Sequence, residues 1–137
     1  MPDVRNQSLQ GSRVLVVEDD ADHRELLATV LELHGAVVST ARSADEALLS
    51  FDRQRPHVLI SDLRLGEHDG YALLRALRER VSASPGRPLP AIALTGYASP
   101  EDAAHSRREG FQAHLAKPVE LDAMIDTVAH VLARAAS

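Results

Sequence analysis

The sequence predicts a three-layer α/β/α domain built on a five-stranded parallel sheet. Strand-like and helix-like patterns alternate five times between residues 13 and 134, the order that right-handed βαβ crossovers produce. The strand-like runs are apolar at nearly every position rather than every second one, as strands covered on both faces require. Four of these runs also stop at a charged or hydroxyl residue: Glu18-Asp19-Asp20, Asp62, Thr95 and Lys117.

Residues 1–12 are polar and aperiodic and read as a flexible leader or linker, with the domain over residues 13–134. The first strand is Val14-Leu15-Val16-Val17. Leu27, Val30, Leu31 and His34 then keep helical spacing, and Gly35 is placed to end that helix. Val37 to Thr40 form the second strand. Ser43 opens the next helix, and Glu46 three residues on completes a capping box. The buried stripe of that helix is Ala44, Ala47, Leu48 and Phe51, and Pro56 closes the connection.

The third strand, His57 to Ser61, ends at Asp62. A loop from Leu63 to Asp69 leads to a helix with Leu73, Leu74, Leu77 and Val81 inward. Residues 82–90 hold three prolines and a glycine and form a loop. The fourth strand, Ala91 to Leu94, ends at Thr95. Ser99 is an N-cap with Pro100 at the first helical position. The helix over residues 100–109 has only alanines for an apolar face, Ala103 and Ala104 above all, and should be weakly held. The fifth strand, Ala113 to Ala116, runs into Lys117-Pro118, where a cis bond would aim the lysine inward. The last helix has the strongest stripe: Leu121, Met124, Ile125, Val128, Val131 and Leu132.

Composition narrows the function. A net charge of −5 argues against a nucleic-acid surface. With no cysteine, disulfides, thiol catalysis and thiolate metal sites are excluded. Aromatic residues make up only 3% of the chain, too few for base-stacking or flavin platforms. No run of apolar residues is long enough to span a membrane or to serve as a signal peptide, so a cytoplasmic location is the default expectation.

The carboxyl ends of parallel strands share one edge of the sheet, where ligands bind. Several carboxylates, one hydroxyl and one ammonium are therefore expected in one crevice. Crowded carboxylates repel, and a hard divalent cation such as Mg2+ relieves them. Asp62 is followed by a loop, so a helix-capping role explains it poorly. A carboxylate nucleophile toward phosphorus explains it better. Asp20 or Asp22 serves the helix dipole, leaving Glu18 and Asp19 for the metal. Thr95 and Lys117 can bond to phosphoryl oxygens.

The segments VLVVEDD, SDLRLGEHDG, ALTGYA and HLAKP resemble the response-regulator receiver domain family over about residues 12–134. The resemblance implies a flavodoxin-like fold with strand order 2-1-3-4-5. It makes Asp62 the phosphoacceptor, Asp19 a direct Mg2+ ligand, Glu18 a ligand through water, and the main-chain carbonyl of Arg64 a further ligand. Thr95 and Lys117 become the phosphate-sensing pair. Gly66 stands where the family often has proline. His114 stands where it commonly has tyrosine or phenylalanine. His114 reads as a polar residue on an edge strand, as a rotameric switch residue, or, least well, as a phosphorylated histidine. No special role is assigned to His23 or the remaining histidines.

The implied donor is a phosphohistidine on a histidine kinase or histidine phosphotransfer protein, and the output is a changed protein-binding surface; a homodimer is also admitted. The resemblance gives no turnover substrate, no direct nucleic-acid contact and no membrane contact. A phosphatase of the haloacid dehalogenase type would need aspartate where Arg64 stands. A flavodoxin-like flavin binder would need a hydroxyl- and glycine-rich loop where Glu18-Asp19-Asp20 stands. A phosphorylation-independent docking module, a pseudo-receiver, is the alternative kept. Residues 93–124 look most like receivers of hybrid sensor histidine kinases, so the chain reads as a stand-alone regulator or an excised receiver.

Overall fold

A computed structural model of the protein describes residues 8–65, 68–82, 89–96 and 100–136. Five parallel strands form the sheet: β1 (Arg13–Val17), β2 (Val37–Ala41), β3 (Val58–Asp62), β6 (Ala91–Thr95) and β7 (Ala113–Ala116). Their spatial order is β2-β1-β3-β6-β7, which is 2-1-3-4-5 when only these five are counted. The helices are α1 (Ala21–Leu33), α2 (Ala44–Arg53), α3 (Gly70–Ser82), α4 (Pro100–Arg108) and α5 (Leu121–Ala136). The expected three-layer, flavodoxin-like architecture is the one observed.

Alternation along each strand splits the core in two. Val14, Val16, Val58, Ile60, Ile92 and Leu94 pack with Leu27 and Leu31 of α1 and with Met124, Ile125, Val128 and Val131 of α5. The intervening residues Leu15, Leu59, Ala91 and Ala93 pack with Phe51 of α2 and Leu73, Leu74 and Leu77 of α3. The three central strands are covered on both faces, which is why their sequences lack polar alternation. The edge strands β2 and β7 are half-exposed and carry the polar residues.

The helix starts follow capping chemistry. Asp20 accepts from the His23 N–H at 2.9 Å, Asp69 from Ala72 at 2.7 Å, and Glu120 from Ala123 at 2.8 Å. Ser43 accepts from the Glu46 N–H at 3.2 Å, the forward half of the expected capping box. The return half is displaced by one residue: Glu46 accepts from the N–H of Arg42 at 3.3 Å and from its guanidinium at 2.7 Å. A charge-assisted bond to arginine wins over the neutral Ser43 amide. α1 ends before Gly35, whose φ of +95° only glycine adopts freely.

Three expectations need correction. The 63–69 loop contains a short antiparallel ladder, β4 (Arg64–Leu65) with β5 (His68–Asp69), and Leu65 is buried beneath it. α4 does not rest on alanines: Ala104 is exposed, Ala103 half-buried, and the residue it buries is Ser106. The proposed Ser99 cap lies outside the described residues, as does Gly66. The leader is also shorter than residues 1–12, because Leu9 is only 1% exposed and joins the α1–α5 core. Its N–H donates to the His34 carbonyl at 2.8 Å and that of Gly11 to the Gly35 carbonyl at 3.0 Å. One leucine in a polar stretch gives no periodicity, so burial here is decided by tertiary contact alone.

Replacing Leu9 by alanine should therefore cost about 2–4 kcal/mol of unfolding free energy, as for other core leucines. Urea denaturation measures this. A loss below about 0.5 kcal/mol, typical of exposed positions, would return the segment to the leader.

Candidate functional site

The carboxyl ends of β1, β3, β6 and β7 converge at a common edge, β1 contributing both Glu18 and Asp19. Glu18 follows β1 and is fixed by its N–H donating to the Ala41 carbonyl at 3.0 Å. Asp62 is the last residue of β3, Thr95 the last of β6, and Lys117 follows β7. Glu18, Asp62 and Thr95 are buried and Asp19 is exposed. The Lys117 N–H donates to the Thr95 carbonyl at 2.8 Å, which ties the ends of the last two strands together. The Lys117–Pro118 bond is cis, as the sequence suggested.

Lys117 is the hub. Its ammonium lies 3.2 Å from both Glu18 carboxylate oxygens and hydrogen-bonds to Oδ2 of Asp62. The other Asp62 oxygen, Oδ1, accepts from the N–H of Arg64 at 2.9 Å. That bond turns the chain sharply after β3 and starts the β4–β5 ladder. Gly70, at the head of α3, closes the other side: a Cβ there would stand 2.6 Å from the Asp62 carbonyl oxygen. The phosphoacceptor candidate is thus pinned at its backbone by α3 and at its carboxylate by Lys117.

Carboxylate oxygens of Glu18, Asp19 and Asp62 come within 4.8 Å of one another. Three carboxylates face one ammonium, so the cluster carries two negative charges in excess. The donors are all hard oxygens, the set a small divalent cation prefers. Burial raises the Glu18 pKa above its ordinary value, and the neighbouring Asp62 raises it further, against the pull of Lys117. Burial alone would lower Lys117, but its bond to Asp62 and the attraction of both carboxylates outweigh it and the pKa rises.

Of the residues singled out in the sequence at strand ends, Glu18, Asp19, Asp62 and Lys117 meet here, Thr95 ends the neighbouring strand and is tied to Lys117 through its carbonyl, and Asp20 caps α1 instead. His114 stands one step back. It is half-buried on the edge strand β7, in register with Ala93, so it shares the sheet face of Ala93 and Thr95. Sequence reasoning missed His23. Its Nδ1 lies 3.3 Å from Glu18 Oε1, reached because the Asp20 cap turns the first helical residues back over the β1 end. Arg24 was missed too; its guanidinium donates to the Glu18 carbonyl at 2.9 Å. The spacing i+5 and i+6 from Glu18 across a strand–helix turn matches no simple periodicity.

The family model of the response regulator receiver domain matches residues 14–129. The chain belongs to the response-regulator receiver family. A receiver domain in two-component signalling takes up a phosphoryl group, and this chain is one; no enzyme family with a turnover substrate is indicated. It is 45% identical over 114 residues to an uncharacterized 14.6 kDa protein in the sodA1 3′ region of Leptolyngbya boryana, covering 83% of this receiver and 85% of that protein. It is 34% identical over 129 residues to the transcriptional regulatory protein GlrR of Escherichia coli, covering 94% of this chain but 28% of that one. Thus it spans most of the first relative and under a third of the second. Among solved structures, the receiver domain of the Francisella response regulator 1452 superposes with a TM-score of 0.80 at 27% identity, over 90% and 98% of the two chains. The chemotaxis response regulator CheY4 of Vibrio cholerae gives 0.79 at 27% identity, over 89% and 99%.

The raised Glu18 pKa has a stability consequence with a definite sign. A carboxyl whose folded pKa lies above its unfolded value binds protons more tightly when folded. Its ionisation costs stability as pH rises from about the ordinary 4.5 through the raised value. In EDTA, Glu18→Gln should therefore gain stability relative to wild type between pH 4 and pH 7. Urea midpoints at the two pH values test this; a constant or reversed difference would show that Lys117 and His23 need the Glu18 charge more than burial penalises it.

Proposed function

We propose that Asp62 is the phosphoacceptor of this receiver and that Lys117 and Thr95 read the phosphoryl group once it is bound. The observation that carries this is the Lys117 ammonium, held between Glu18 and Asp62 at the strand-end edge. The donor is a phosphohistidine of a histidine kinase or histidine phosphotransfer protein. An Asp62 oxygen attacks phosphorus in line, the N–P bond breaks, and the imidazole leaves with its electron pair. The protein contributes positioning and charge neutralisation, which is most of what phosphoryl transfer needs.

The hard-oxygen donors of the acidic cluster fit Mg2+, which Asp19, Asp62, Glu18 and the Arg64 carbonyl would hold between them. Mg2+, when bound, neutralises charge on the transferring oxygens. Lys117 supplies the second positive charge; its ammonium then exchanges part of its bonding to Asp62 and Glu18 for a phosphoryl oxygen. Thr95, buried on the neighbouring strand end, donates its hydroxyl to another. His114 shares the face of Thr95 and adjusts its rotamer as that residue is drawn inward.

The signal reaches α4 because little holds α4 in place. His105 of α4 packs edge-on against Tyr71 of α3, with centroids 4.8 Å apart; just past the helix, Glu109 pairs with Arg75 at 3.2 Å and the Gly110 carbonyl accepts from Arg78 at 2.6 Å. α5, by contrast, buries Met124, Ile125, Val128 and Val131. The output is a changed protein-binding surface on this side.

Acetyl phosphate in the presence of Mg2+ should add one phosphoryl group to the wild-type protein, seen by intact mass. Asp62→Asn should abolish this, and Asp19→Ala should abolish it together with Mg2+ binding. Glu18→Gln should weaken Mg2+ by about 10–100-fold, as loss of an outer-sphere partner does. Undiminished labelling of Asp62→Asn at any other residue would remove Asp62 from the role. Lys117→Ala should leave partial labelling but uncouple it from conformational change.

Amide-exchange mass spectrometry with beryllium fluoride and Mg2+ reads that coupling. The largest changes are expected over residues 95–116, and little in α1 beyond its first turn. Changes confined to residues 62–70 would mean that phosphate binds without moving α4.

A further inference from the structure

We propose that the outer edge of β2 is a self-association surface, on which a second copy of this chain adds its own β2 antiparallel across a two-fold axis. Among the described residues four large hydrophobic side chains are exposed, Leu26, Leu33, Val37 and Leu49. All four lie on β2 or on α1 and α2, the helices that pack against it. The rest of the described surface exposes none. Scattered exposed leucines need no explanation, but Val37 on the edge strand itself and Leu49 lining the cleft beside it put an apolar pair at one open edge of the sheet.

The strand itself has an open edge. Among the described residues β2 pairs only with β1. Its sequence, Val37-Val38-Ser39-Thr40-Ala41, holds no charge and no proline, the usual protections of an edge. Val37 donates to Ser12 and Ala41 accepts from Glu18, so the odd-numbered residues turn their backbone groups toward the β1 side. In a parallel ladder the alternate residues then face outward. Val38 and Thr40 each present an N–H and a C=O to the open edge.

These groups are self-complementary. With Ser39 on the two-fold axis, Val38 of one copy stands opposite Thr40 of the other, and the two pairs exchange four backbone hydrogen bonds. The flanking helix obeys the same symmetry. A cleft of about 390 Å³ between β2 and α2 is lined by Ser39, Thr40, Glu46, Leu49 and Arg53, among others. Along α2 the order is acidic, apolar, basic: Glu46, Leu49, Arg53. Under the same two-fold, Leu49 meets Leu49, and each Glu46 faces the Arg53 of the other copy. The charge pattern therefore favours a second copy of this chain, antiparallel, over an unrelated partner. Glu46 already pairs with the Arg42 guanidinium at 2.7 Å, an exposed pair of small worth, and its second oxygen holds only a 3.3 Å bond from the Arg42 N–H, so a further cation can still share the carboxylate. β2 and β7 are opposite edges of the sheet, so this association leaves the α4 side free.

Sedimentation velocity of the full chain across a concentration series tests the proposal, with amide exchange at low and high concentration. The wild type should dimerise, and the amides of Val38 and Thr40 should gain protection as it does. Glu46→Arg and Arg53→Glu should each weaken the dimer at least about tenfold, since each places two like-charge pairs across the axis. The double variant Glu46→Arg/Arg53→Glu should recover it, because the swap restores both opposite-charge pairs. A wild type that stays monomeric into the millimolar range overturns the proposal. So does a dimer indifferent to both single variants, which would lie on another face. Protection of Val38 and Thr40 in a monomer would put a different segment on the edge and also overturn it.

Discussion

The structure turns on one cation between two buried carboxylates. Glu18 and Asp62 end adjacent strands of a parallel sheet, and parallel registry leaves them no choice but proximity. Two such charges with little water around them would oppose closure of the fold at this edge. Lys117, delivered from the far strand β7, bonds to both. The interaction is also incomplete by design of number, since Asp19 adds a third negative charge that one lysine does not offset. The same edge that Lys117 helps to close therefore retains an affinity for a further cation and, through Asp62, for chemistry. Removing the ammonium leaves buried charge uncompensated, a larger penalty than the pair's own net contribution.

Most of this was legible because strands covered on both faces announce their own ends. Where Val14–Val17, Val58–Ser61 and Ala91–Leu94 stop, the first polar residue has to lie at the sheet edge, and the topology does the rest. What escaped has a common physical character. Leu9 is buried by a contact with the α1–β2 turn that no local pattern encodes. His23 reaches Glu18 through the curvature of a cap. Glu46 prefers Arg42 to its own N-cap serine because a guanidinium offers a stronger bond than an amide. The β4–β5 ladder is two residues long, below any periodicity, and exists because the Arg64 N–H bonds to Asp62. In each case side-chain chemistry across a turn overrides pattern. Alanine content correctly marked α4 as weakly packed but misidentified what it buries, since Ser106 faces inward and Ala104 does not.

The two edges of the sheet are built differently. At β2 the strand is uncharged and flanked by exposed leucines; at β7 it carries His114, Lys117 and the adjoining α4. A receiver has to keep one side stable while the other changes, and the heavy packing of α1 and α5 on the face they share supplies that stability. Association at β2 would add to the fixed side without touching the variable one.

Magnitudes show why α4 has to be weak. The edge-on Tyr71–His105 contact is worth about 0.5–1.5 kcal/mol, and an exposed pair such as Arg75–Glu109 about 0–1 kcal/mol. A charge-assisted hydrogen bond contributes about 1.5–3 kcal/mol. A phosphoryl group on Asp62 that gains a bond from Thr95 and takes one from Lys117 does not gain twice that amount. Lys117 already bonds to Asp62 and Glu18, so only the Thr95 bond is wholly new. One such bond is comparable to those two contacts, with the Arg78 bond to the Gly110 carbonyl left to hold the end of α4, and far too small to outweigh a helix buried as α5 is, with four buried side chains at about 1.5–3 kcal/mol each. The free energy available at the site thus selects which helix can answer it.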